Sequence, residues 1–282
     1  MPLNLTFGDA IGSAIDSLRG FRWAEFAPFF WILAVEWIIL ALATQLDKAW
    51  AMSLVAPMVS WVGGEENLHY PTFFGYLSIL LGWVESFLYA VPGAVLIPMS
   101  LLRFYRRSDR ALSLGAGAAS RLAGAFVPTL LAGAAWVGAT WSWQRYAAGP
   151  LTAALRGSAP PPLGEALAWL SVTIGSYAIL ALLLYVPIAA VQARTNPIRA
   201  IGMGIRFGFR SWPLTLMFMV QFGLPSIAVQ YLLEKQGVHV LNRLRPELIV
   251  VFLAVYAAAT SAATFLAYNT GARLYKTARG ES

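Results

Sequence analysis

Long apolar runs, each closed by basic or aromatic residues, dominate the pattern along this chain. Six segments reach the roughly 20 mostly apolar residues that a membrane-crossing helix needs. They fall at about 26–46, 73–100, 126–143, 166–192, 212–233 and 248–270. The runs are too long for transmembrane strands and show no period-two alternation. The pattern predicts an all-α polytopic bundle of six transmembrane helices forming a single membrane domain over residues 1–282.

Superimposed on the runs is a repeat. The first, third and fifth spans open on Phe26-Ala27-Pro28, Phe126-Val127-Pro128 and Ser211-Trp212-Pro213. Proline suits a first helical turn, where its missing N–H costs nothing. A short stretch of helical periodicity precedes each proline. In the first copy Ile11, Ile15 and Leu18 oppose Ser13, Asp16 and Ser17. In the second, Leu114, Ala118, Leu122 and Ala125 oppose Ser113, Ser120, Arg121 and Gly124. In the third, Ile201, Ile205, Phe209 and Trp212 oppose Arg199, Arg206 and Arg210. These predict amphipathic helices along the cytoplasmic interface, apolar face toward the bilayer. The returning spans share Tyr89-Ala90-Val91-Pro92 and Leu184-Tyr185-Val186-Pro187. The predicted repeats cover 7–100, 111–192 and 197–270, related by an axis near the membrane normal.

Composition agrees. Of 282 residues 59% are hydrophobic and 12% charged, against about 25% charged in soluble domains. A soluble globule, a disordered chain and a coiled coil are thereby excluded. No cysteine is present, which removes disulfides, thiolate metal sites and cysteine nucleophiles. The net charge of +7 does not indicate nucleic acid, because the basic residues flank the apolar spans. Of the 20 Lys and Arg, 14 fall on the side of the two termini, which the positive-inside rule assigns to the cytoplasm. Asp9, Asp16 and Glu25 interrupt any signal-peptide core, so the first span is expected to act as an uncleaved anchor. Trp23, Trp50, Trp61, Trp141, Trp143, Tyr146 and Trp212 mark predicted headgroup zones.

The run Asn196-Pro197-Ile198-Arg199-Ala200-Ile201, followed by Arg206, Arg210 and Ser211, resembles a family of bacterial six-helix membrane proteins. These are related to the membrane domain of glycerophosphodiester phosphodiesterases. Phe7-Gly8-Asp9-Ala10-Ile11 with Leu18-Arg19 is similar to that family's first helix. The resemblance implies a multi-pass protein of the bacterial inner membrane. It implies no activity, since no soluble phosphodiesterase domain occurs here.

Two carboxyls fall at mid-membrane, where a charge costs from about 2.5–3.5 kcal/mol on insertion scales to 10 or more in simulations. Glu36 lies in the first span and Glu85 in the second, with no Lys or Arg expected at that depth. If they face one another they can share a proton. Glu36, Trp136 and Gln221 each lie eight residues past a repeat proline, and equivalent copies would set them at one depth. The four residues form either a polar site or a set of hydrogen bonds that glue helices together. Ala254, Ala258 and Ala262, with Ala134 and Gly138, suggest close helix packing. Pro92, Pro98 and Pro187 are expected to kink their spans.

Residues 47–65 suggest an outer interfacial helix, and Pro160-Pro161-Pro162 an extended second outer loop. His69 and His239 fall in outer loops and no metal or nucleotide motif occurs, so no cofactor is expected. Two readings of function remain, both non-enzymatic. One is an accessory subunit of a larger membrane assembly, with membrane-protein partners and the lipid bilayer around it. The other is a permease-like component, with Glu36, Glu85 and Gln221 along its route and a separate ATPase as one candidate partner at the 197–212 helix.

Overall fold

The computed structural model describes residues 5–45, 48–68, 72–108, 117–158, 160–192, 196–243 and 247–280. Every regular element among them is helical. In chain order these are α1 (Phe7–Arg19), α2 (Trp23–Ala43), α3 (Ala49–Gly63), a 3-10 turn (Glu65–Leu68), α4 (Thr72–Ala90) and α5 (Gly93–Ser108). There follow α6 (Gly117–Ser142), a π turn (Trp143–Ala147), α7 (Ala148–Ser158), α8 (Pro161–Leu183), α9 (Tyr185–Gln192), α10 (Pro197–Arg243) and α11 (Leu248–Ala278). Five helical stretches are long and apolar enough to cross a membrane, and a sixth is added if α4 and α5 count as one broken span. The chain is thus an all-α, multi-span protein of membrane type.

The helices begin and end for local reasons. Thr6 caps α1 through a capping box: its Oγ1 accepts from the Asp9 N–H, and the Asp9 carboxylate accepts from the Thr6 N–H at 2.7 Å. The Asp9 carboxyl is held below its ordinary range chiefly by that backbone N–H. The break between α4 and α5 falls on Val91-Pro92, and that between α8 and α9 on Leu184, three residues before Pro187. Both follow from the proline ring's clash with the preceding turn. Pro98 lies inside unbroken α5.

Pro128 and Pro213 do not start spans. α6 runs from Gly117 through Pro128, and α10 runs 47 residues through Pro213 and Pro225. The second and third short helices predicted before the spans are therefore continuous with them; only α1 is separated, at Gly20. A Ser or Thr hydroxyl near each internal proline bonds a carbonyl of the preceding turn. Thr129 bonds Ala125 O, Thr215 bonds Ser211 O and Ser226 bonds Gly223 O, a compensation common in apolar surroundings. Pro28 strips Ala24 O of its helical donor, and the Arg103 guanidinium donates to that carbonyl instead. Pro161 and Pro162 form the first turn of α8, so of the three prolines Pro160 alone, at the N-cap, is extended. The interfacial helix expected at 47–65 appears as α3. His69 lies outside the described residues, as do Ser113 and Leu114 of the second predicted amphipathic stretch.

Contacts divide the chain into two compact units. The first comprises residues 1–28, 90–222 and 264–282, the second 29–89 and 223–263.

The first unit packs through small residues. A Cβ on Gly204 would lie 2.6 Å from the Val186 Cα, and one on Gly133 2.8 Å from the Ala90 Cα. Gly208 is pressed equally hard onto the Leu182 carbonyl. Gly138 meets nothing and Ala134 is exposed, so the close-packing face of α6 is Ala125, Thr129, Ala132 and Gly133. On α1 the small polar face is the packed one. Ser13 and Ser17 are buried, whereas Ile11, Ile15 and Leu18 are exposed. On α10 Ala200, Gly204, Gly208 and Ser211 are buried, while Phe209 and Trp212 are exposed. Lipid accepts large apolar side chains at no cost, and helices approach closest through small ones.

The second unit has a core of large side chains. Leu40 of α2, Val59 of α3, Phe73, Leu77 and Leu81 of α4, and Ile249 and Leu253 of α11 pack together. The Trp37 indole N–H donates to Ala254 O at 3.1 Å.

Candidate functional site

Both carboxyls expected at mid-membrane lie in the second unit. Glu36, on α2, is 1% exposed, and its Oε2 has no hydrogen-bond partner. Glu85, on α4, is half-buried and within electrostatic reach of Glu36. The Tyr256 hydroxyl of α11 donates to Glu85 Oε2 at 3.4 Å. One turn along α4, the Tyr89 hydroxyl lies 3.2 Å from Ser261 Oγ of α11, again in hydrogen bond. The two links pair residues 171 and 172 positions apart, so α4 and α11 run parallel there. Thr260, one turn beyond Tyr256 on α11, keeps a buried Oγ1 without a partner.

Oxygens on three helices are thereby linked: Glu85 to Tyr256, Tyr89 to Ser261 one turn on, and Glu36 within electrostatic reach of Glu85. Lys48, the basic residue of this unit whose side chain is described, is exposed just before α3 and bonds Gln45. Glu36 thus faces a second acid with no cationic side chain shown to neutralise either. A buried oxygen left unpaired costs about 1–3 kcal/mol, more if charged. Among the described residues no three acidic or histidine side chains gather as a metal site.

The other predicted site residues belong to the first unit. Trp136 is half-buried, and its indole N–H has no partner, as is true of the Thr140 hydroxyl one turn on. Gln221 is exposed on α10. Arg199, Arg206 and Arg210 are all exposed along the first four turns of the same helix.

Sequence reasoning missed another buried carboxyl. Glu25, expected at the interface, is 3% exposed in the first unit. Its Oε1 meets Arg107 at 3.5 Å and its Oε2 accepts from Asn269 at 3.4 Å. Ser100 donates to its carbonyl at 2.7 Å. The network continues to Arg273, which donates to Asn269 Oδ1, and to Ser17, which accepts from Thr270 at 3.0 Å. The basic residues counted as topology signals therefore also join α2, α5 and α11; Arg121 likewise donates to Val191 O at the end of α9. The missed partners of Glu85 did leave a trace, because Glu85/Tyr89 and Tyr256/Thr260 are both spaced one turn apart.

Comparison of the chain with protein-family models, curated proteins and solved structures finds no match.

Proposed function

We propose that this chain is a non-enzymatic, permease-type protein of the bacterial inner membrane, with both termini in the cytoplasm, whose mid-membrane polar site is the Glu36–Glu85 pair. One observation carries the reading: Glu36 is buried without a partner for Oε2, beside a second acid. Helix glue satisfies its polar atoms, whereas a route for protons or polar solutes keeps a group free for what passes. The bias of basic residues supports the orientation. The layout shared with six-helix relatives of the phosphodiesterase membrane domain supports the compartment.

The test is reconstitution into proteoliposomes with an entrapped pH-sensitive dye. Under an imposed gradient the wild type should pass protons faster than protein-free vesicles, and Glu36→Gln should abolish the difference. Equal flux in wild type and variant overturns the reading.

An accessory role in a larger assembly is favoured by a different feature. Exposed Arg199, Arg206 and Arg210 line the start of a helix ~70 Å long, against a hydrocarbon layer of about 30 Å. This arm suits a membrane-protein partner or a separate ATPase. Purification in mild detergent decides: stoichiometric co-purification lost on triple Arg→Glu substitution supports it, and a chain that always purifies alone removes it.

A further inference from the structure

We propose that Glu36 and Glu85 bind one small, hard monovalent cation, Na⁺, in exchange for a proton. This rests on the permease reading for its purpose but not for its chemistry.

The donor set selects the ligand. Carboxyl and hydroxyl oxygens suit hard cations, and no sulfur or imidazole is among them. Glu36 Oε2 is buried with no partner in the protein, so it is free to ligate, and Thr260 Oγ1, one helical turn along α11 from the Tyr256 that holds Glu85, is likewise without one. Glu85 is steadied by Tyr256 and can contribute its other oxygen.

Charge selects the stoichiometry. Two carboxyls hold at most two negative charges. One retained proton plus one Na⁺ leaves the cluster neutral, and so do two protons. Exchanging the second proton for Na⁺ therefore changes no net charge in a dry site, and each state is as tolerable as the other. A divalent ion would also balance two carboxylates. Ca²⁺, however, takes six to eight oxygens, and Mg²⁺ dehydrates reluctantly; two acids without a third make a poor cage for either.

The titratable groups facing the pair can be named by helix. Within this unit α2 carries Glu36, α4 carries Tyr76, Glu85 and Tyr89, and α11 carries Tyr256. α3 carries none, and the described side chains of α10 add Tyr231. Competition between Na⁺ and protons therefore falls on the two carboxyls.

The experiment is thermal unfolding of the full chain in detergent, with NaCl against choline chloride at equal ionic strength. At alkaline pH, NaCl should raise Tm by about 4–8 °C, and the rise should shrink at acidic pH. Glu36→Gln and Glu85→Gln should each remove it. Thr260→Val, which leaves both acids in place, should weaken apparent Na⁺ affinity several-fold. If a Gln variant does not fold, equilibrium binding of ²²Na⁺ to the wild type, displaced by protons and not by choline, decides in its place. Equal Tm in both salts, a rise unchanged by the substitutions, or a larger rise with CaCl₂ than with NaCl each overturns the proposal. The two readings fail separately. Na⁺ binding without proton flux removes the permease and leaves the site, and flux indifferent to Na⁺ removes the site and leaves the permease.

Discussion

Glu25 and Glu36 stand eleven residues apart on one helix and are buried to nearly the same degree, 3% and 1% exposed, yet their surroundings are opposite. Glu25 meets a guanidinium and a carboxamide and ties α2 to α5 and α11. Glu36 lies within electrostatic reach of another acid and keeps an oxygen free. Burial alone therefore says nothing about a carboxyl's role; the inventory of its partners does. The first unit pairs its buried acid and packs on glycine and alanine, although the Trp136 indole N–H and the Thr140 hydroxyl have no partner. The second fills its core with leucine and phenylalanine and leaves one oxygen of Glu36 unpaired.

The contrast can be broken at several points. The largest effect is expected at the small-residue contacts of the first unit. Gly204→Leu or Gly208→Leu should prevent folding or cost more than the usual ~1–3 kcal/mol of overpacking, because the neighbour is backbone that cannot yield. Loss of monodisperse protein in detergent would show it, and a well-behaved Gly208→Leu would refute the packing.

Next comes Glu25→Ala. It leaves Arg107 facing Asn269 without a countercharge. The cost should be about 2 kcal/mol, below the ~3–5 of a fully buried pair because the Arg107 side chain is 39% exposed. Glu36→Gln, by contrast, should change unfolding free energy by less than ~1 kcal/mol, in either direction, because it replaces an unpaired acid with a neutral isostere. Equal losses at Glu25 and Glu36, measured by urea unfolding in the same detergent, would erase the distinction.

A smaller change is expected for Trp37→Phe, which removes one bond to Ala254 O. About 0.6 kcal/mol is typical of such bonds in membranes. The least effect should come from pH acting on the α1 cap. Because the Asp9 carboxyl sits below its ordinary value of 3.8 when α1 is formed, its contribution is present above that value. It fades as pH falls through the lower, folded one. Amide exchange at the start of α1 should therefore quicken in strong acid relative to neutral conditions, and Asp9→Asn should remove the difference.

The membrane-length helices, five or six according to whether α4 and α5 count as one broken span, were legible because apolar length is a one-dimensional property, and Glu36 and Glu85 because a charge inside such a run is conspicuous. What covers the small-residue face of α1 was not. Periodicity sets Ile11, Ile15 and Leu18 apart from Ser13 and Ser17, and the former are exposed and the latter buried, but Asn269 and Thr270, which meet Ser17, lie 252 and 253 positions away. Pro128 and Pro213 read as helix starts because the rule for a first turn ignores the neighbouring hydroxyls that let a helix run through. Glu25 was taken for an interface residue because its partners, Arg107 and Asn269, are 82 and 244 positions away, beyond any local pattern.

That separation in sequence is also a separation in time. Ser17 emerges from the ribosome 252 residues ahead of Asn269 and 253 ahead of Thr270. At about 5–20 residues per second, it waits roughly 13–50 s for the groups that complete its hydrogen bonds. Throughout that interval α1 lacks those partners and keeps, besides Ile11, Ile15 and Leu18 on its exposed face, an uncovered face of small polar residues. The inward turn of Ser13 and Ser17 is thus a late event of assembly, made when the last helix arrives to close the first unit around the beginning of the chain.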